Sequence, residues 1–183
     1  MKELSKIFQV LDSNSNEDKI RVLESLSQSD KPEIIRKIIS MLNDPEIRVR
    51  GEAFSSLFIN KNDISKFLIQ SLGSKEKNER GFSALVLANR SDITAIHALE
   101  LLTKDPSSMV RSCALGALGH LCSNKSARVM RNCFTDEVLE VRKSALAAFY
   151  KAGGQIISSE ADELAKNADE ELLLLVTKIS KNK

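Results

Sequence analysis

The residues of widest chemical range in this chain are two histidines, His97 and His120, and three cysteines, Cys113, Cys122 and Cys133. Four of them, Cys113, His120, Cys122 and Cys133, lie close enough in sequence to raise a soft-metal site. A tetrahedral zinc needs its ligands to converge at about 2.0–2.3 Å. On a helix Cys113 and His120 share a face two turns apart, while Cys122 points about 160° away from His120. Cys133 belongs to the following segment. That spread disfavours a metal, and reduced structural thiols are the expected state. No phosphate-binding loop, nucleophile elbow, zinc-finger spacing or paired-carboxylate motif occurs in the sequence. The expectation is a chain with no catalytic residue, no metal and no cofactor.

The regular chemical feature is basic instead. Lys19, Arg50, Arg80, Arg111 and Arg142 follow one another at 31, 30, 31 and 31 residues. Six positions before each stands a short polar residue: Ser13, Asp44, Ser74, Asp105 and Asp136. Three positions after comes Val22, Ala53, Ser83, Ala114 or Ala145, and seven after comes Leu26, Leu57, Leu87, Leu118 or Phe149. A period of this length carried through most of a chain means stacked repeats, each burying its apolar face on the next.

The elements that must position these residues are helices. Leu4, Ile7, Phe8 and Leu11 form one stripe, as do Ile34, Ile35, Ile38 and Leu42. Ser13–Asn16 offers capping oxygens for a second helix near 17–27, and Pro32 suits the first turn of a third. Asp44 can accept from the free N–H groups that open a helix over 46–59. Later pairs are expected at 63–72 with 76–89, 92–103 with 107–121, and 125–134 with 138–151, Gly73 ending the first of these. Beyond Gly153–Gly154 the pattern weakens, and a degenerate pair over 154–183 closes the stack, with Asn167 in the turn position. The fold expected is all-α, a right-handed α-solenoid of about six helix pairs in one domain. Its units run about 1–28, 29–60, 61–90, 91–122 and 123–153, followed by the terminal pair.

Paired helices of this length, with Asp44/Val49/Arg50, Asp105/Val110/Arg111 and Asp136/Val141/Arg142, resemble HEAT repeats, most closely the short repeats of prokaryotic and phycobilin-lyase type. Unit three departs with Ser74/Glu79/Arg80 and unit one with Ser13/Asp18/Lys19. The resemblance implies that Asp and Arg of neighbouring units form a hydrogen-bonded ladder beside the turns. A carboxylate at a helix N-terminus and a guanidinium beside it favour the same arrangement. The competing reading is a basic stripe for phosphate. HEAT-like hydroxylases carry His-Glu pairs for iron, and no such dipeptide occurs here.

Composition narrows the function classes. The net charge is +2 and aromatic residues make up 4%, with no tryptophan, so Leu, Ile, Val and Ala must fill the interior. The near balance of charge disfavours nucleic acid as a partner, although Arg128, Arg131, Arg142 and Lys143 form a local basic group. The charged start of the chain is not that of a signal peptide, and no apolar run would span a bilayer. A cytoplasmic protein is expected, with no membrane contact. Positions two, five and nine after each anchor point away from the core side of the second helices. In the family that the chain resembles, this face lines the concave surface. It carries Ile59, then Phe82, Leu85 and Asn89, then Cys113 and His120, then Lys151. Gly116 and Ala147 on it suit relief of crowding, whereas Phe82, Leu85 and Ile59 do not. The expected function is therefore a non-enzymatic scaffold that binds a protein on this face. Alternatives are an accessory subunit of a chromophore- or protein-modifying enzyme and, behind it, a nucleic-acid binder. Leu173 and Leu174 on the last helix add a candidate surface for self-association.

Overall fold

The structure is a computed structural model that describes residues 2–166 and 168–181; the expected turn residue Asn167 lies outside them. The described residues form helices joined by turns, with no strand among them. The chain divides into two compact units, 1–90 and 91–183, with the division between the third and fourth repeats.

The first unit contains α1 (Lys2–Leu11), α2 (Asn16–Leu26), α3 (Pro32–Ser40), α4 (Ile47–Ile59), α5 (Ser65–Ser71) and α6 (Lys77–Asn89). The helices start where local chemistry permits. Ser15 caps α2 by accepting from Asp18 N–H, and Pro32 occupies the first turn of α3, where its missing donor would have had no partner. The Asp44 carboxylate accepts the Glu46 N–H at 2.9 Å, just ahead of α4. The second helices α2, α4 and α6 pack side by side, and α3 and α5 cover them. Leu23, Val49, Ala53, Leu57, Ser83 and Leu87 are fully buried between these layers. Each fully buried Leu or Val contributes about 1.5–3 kcal/mol of apolar transfer.

The second unit contains α7 (Ile96–Leu102), α8 (Ser108–His120), α9 (Ala127–Asn132), α10 (Leu139–Lys151), α11 (Ser158–Ala165) and α12 (Glu170–Lys181). Here α8 lies against α10 and α10 against α12, with α7, α9 and α11 outside. Val110, Ala114, Leu118, Val141, Ala145 and Phe149 repeat the core positions of the first unit. The first helices α7 and α9 are shorter than expected, because 93–95 and 124–126 wind as 3₁₀ turns before them. In α12 Leu172, Val176 and Ile179 are buried, whereas Leu174 is 65% exposed and Leu173 43% exposed.

Of two expectations about glycine one holds and one changes. Gly73 does follow α5, but the backbone there stays out of the left-handed region. The left-handed terminators are Ser91, Cys122 and Gly153, each one residue past the cap of a second helix and thirty-one residues from the next. Gly116 relieves no crowding, since a Cβ there would meet nothing within 4 Å. Gly119 does so instead: a Cβ on it would lie 2.7 Å from Ala148 Cα, which is how α8 and α10 come so close.

Candidate functional site

The anchors first secure the frame. Lys19 Nζ donates to Asp44 Oδ2 at 2.8 Å, both groups buried. Arg111 donates from Nη1 to the carbonyls of Asp105 (3.1 Å) and Pro106 (3.4 Å), while Nε and Nη2 hold the Asp136 carboxylate at 2.9 and 2.8 Å. Arg50 and Arg80 anchor Nη1 on their own turn carbonyls in the same manner, Asp44 and Pro45 for one, Ser74 and Lys75 for the other. Within each unit these contacts hold the turns: Arg111 grips both backbone and carboxylate, Lys19 a carboxylate, and Arg50 the carbonyls of its own turn. Burial raises the Asp136 carboxyl, but the Arg111 hydrogen bonds, the Val138 N–H and the charges of Arg111 and Arg142 bring it below the usual value. Arg111 is raised in turn by that same bond.

A second set of cross-repeat bonds stands at the opposite helix ends of the first unit. Asn60 Nδ2 donates to Ser29 O at 2.9 Å, and Arg90 donates to the carbonyls of Leu57, Asn60 and Asn62. Because Asn60 and Arg90 differ in type, no repeat pattern marks them.

With the turns clamped, the outward face of α4 and α6 is left open. Between these helices lies a cavity of about 330 Å³, lined by Ile47, Arg50, Gly51, Phe54, Phe82 and Leu85. Phe82 and Leu85 are half-buried as its walls, and Ile47 stands 69% exposed at its edge. A Cβ built on Gly51 would meet nothing within 4 Å, so the glycine keeps that side of the cavity open. Beside it, Glu52 is raised by burial and by the charge of Glu24, against a hydrogen bond from the Ser56 hydroxyl that lowers it.

The structure thus brings Phe82 and Leu85 together. Ile59, the last residue of α4, is exposed but not among the lining residues. Asn89 is exposed with its amide donating to Leu85 O at 2.8 Å within its own helix. In the second unit Cys113 is half-buried with its thiol directed to Met109 Sδ at 3.6 Å, and burial pushes that thiol up to about 11. His120 and Lys151 are the exposed last residues of α8 and α10. Ile47, Gly51 and Phe54 complete the lining, and only their spacing of four and then three residues along α4, itself a helical stripe, marks them in the sequence.

The basic group of the second unit is largely occupied. Arg131 pairs with Glu160 at 2.8 Å and stacks over the Phe149 ring. Lys143 is surrounded by Asp169 (2.6 Å), Glu171 (2.6 Å) and Glu140 (3.0 Å), which together raise it. Arg142 donates to the Asp136 carbonyl at 2.8 Å. Arg128, the fourth residue of the group, is exposed. Among the described residues no three His, Cys, Asp or Glu side chains are placed to hold a metal ion. No helix among them is long and apolar enough to cross a membrane.

Residues 65–149 match the family of HEAT repeats. No curated protein matches the chain. Two solved structures similar to it are crystal structures of engineered proteins from the Northeast Structural Genomics Consortium. One is 18% identical with a TM-score of 0.56, over 100% of this chain and 96% of that one. The other is 16% identical with a TM-score of 0.58, over 100% and 98%. At such identities the likeness establishes the fold alone, helix pairs of an α-solenoid.

Proposed function

We propose that this chain, whose residues 65–149 match HEAT repeats, is a non-enzymatic cytoplasmic scaffold that binds a protein partner on the outward face of its second helices. The observation that carries the reading is the apolar cavity between α4 and α6, in which Phe54, Phe82 and Leu85 stay accessible rather than entering the core. Half-buried apolar walls beside exposed Ile47 are what an anchoring side chain of a partner needs. An amphipathic helix or extended segment crossing successive second helices would supply it.

The test is affinity capture from the native host with parent and variants compared. Phe82→Ala and Leu85→Ala should each weaken capture by about 2 kcal/mol or more with a small change in melting temperature. Gly51→Leu should fill the cavity and block capture while leaving the fold intact, because its side chain enters open space. Val110→Ala, in the core, should lower the melting temperature first. Partners retained equally by Phe82→Ala, Leu85→Ala and Gly51→Leu defeat the reading. The exposed Leu173–Leu174 pair favours contact between copies as a second reading. Light scattering should then show Leu174→Glu with a lower mass than the parent, and a monomeric parent ends that reading.

A further inference from the structure

Arg50 differs from Lys19 and Arg111 in what its charged group holds. Lys19 and Arg111 each reach the carboxylate of the next turn, Asp44 and Asp136. The corresponding turn residue for Arg50 is Ser74, which has no carboxylate to offer. Its hydroxyl is engaged with Glu79 at 2.7 Å and with the Glu76 N–H at 3.1 Å. Glu79, standing where the other repeats place Val49, Val110 and Val141, makes no ion pair with Arg50. Arg50 donates through Nη1 alone, to Asp44 O at 2.8 Å and Pro45 O at 3.0 Å. Among the described residues Nε and Nη2 of this half-buried side chain have no hydrogen-bond partner. Arg50 is also the one charged side chain lining the apolar cavity between α4 and α6.

An anchored guanidinium with its Nε/Nη2 edge free presents two parallel donors, the geometry that takes a carboxylate bidentately, as Arg111 takes Asp136. Set on an apolar cavity, it asks for a carboxylate next to an apolar group. We infer that this cavity receives a peptide segment of a partner protein carrying a large apolar side chain, with an aspartate or glutamate within one helical turn of it on Arg50. The inference rests on the outward face being the binding surface, and it names the chemistry of the partner. The serine turn of the third repeat then has a purpose: an aspartate there would satisfy Arg50 internally and compete with the ligand.

The experiment selects a phage-displayed library of random dodecapeptides on the parent chain. The selected peptides are then titrated by fluorescence anisotropy against Arg50→Gln, Gly51→Leu and the double variant Ser74→Asp/Glu79→Val. That double variant writes the turn of the neighbouring repeats into the third one and should raise the melting temperature as the introduced carboxylate pairs with Arg50. Expected are peptides enriched in an acidic residue within one turn of a Leu, Ile, Phe or Trp. Their affinity should fall about tenfold or more in Arg50→Gln and in the turn-repaired variant, the loss of one charge-assisted contact. Enriched peptides that are apolar without acid, or indifferent to the turn repair, overturn the acidic-partner inference while the binding face stands. Peptides insensitive to Gly51→Leu overturn the face itself. Binding of decanoate that depends on Arg50, with no peptide selected, makes the occupant a small amphipathic acid and also overturns the inference.

Discussion

Arg111 shows at the scale of one residue why the anchor positions are basic. It is 9% exposed and satisfies two carbonyls of its own turn and both oxygens of Asp136. Surface ion pairs contribute about 0–1 kcal/mol, but removing this one strands acceptors that water reaches poorly. Arg111→Ala should therefore destabilise by about 1–3 kcal/mol in urea denaturation, while Lys125→Ala, exposed on its turn, should change little. If the two are equally neutral, the structural role is wrong. Asp136 gives the same pair a pH signature. Its folded carboxyl lies below the ordinary 3.8, so the stability it contributes is present above that value and is lost as pH falls through the lower folded one. Asp136→Asn should lower the melting temperature at neutral pH and flatten its decline in acid, as thermal melts from about pH 2 to pH 7 would show.

At the scale of the element, close helix packing depends on where glycine falls. Gly119 sits where α8 meets α10, and the obstacle to a Cβ is backbone, Ala148 Cα at 2.7 Å, which no rotamer change relieves. Gly119→Ala should cost about 1–3 kcal/mol. Gly116→Ala, one turn away on the open side of the same helix, should gain up to about 1 kcal/mol from helix propensity. Chemical denaturation of the two variants would decide; equal effects would mean the helices are not in this register. The helix ends follow a related logic. Ser123 N–H to Leu118 O at 3.2 Å and Gly154 N–H to Phe149 O at 2.9 Å close the terminal turns of α8 and α10 around left-handed Cys122 and Gly153. Only one of the three left-handed residues is glycine, which is why the recurrence is hard to see in the sequence.

For the whole molecule, the repeat organisation makes stability a sum over neighbours rather than the property of a single core. The sole tyrosine, Tyr150 on α10, reports on the second unit, and there is no tryptophan to mask it. Arg111→Ala should accordingly shift the urea midpoint seen by tyrosine fluorescence more than Leu23→Ala does, and Leu23→Ala, in the first unit, should act mainly on the circular dichroism transition. Identical shifts by both probes for both variants would show a single cooperative transition instead.

The repeat length, the helix partition and most core positions were legible in the sequence. Burying one face of each helix demands the same residue types at the same offsets: Val49, Val110 and Val141 before the anchors, and Leu57, Leu87, Leu118 and Phe149 after them, are all buried. The ladder was legible for the same reason, since Asp136 recurs in step with Arg111. The cavity was only half legible. Phe82 and Leu85 stood out as large apolar residues on an outward face, but Ile47, Gly51, Phe54 and Arg50 join them across helices some thirty residues apart in sequence. Asn60 on Ser29, Arg90 on the end of α4, and Gly119 rather than Gly116 at the close approach were likewise decided in three dimensions. Spacing along one helix tells which side a residue takes. Which residues of two helices meet depends on their separation and axial offset, and those are set by the packing of the side chains between them.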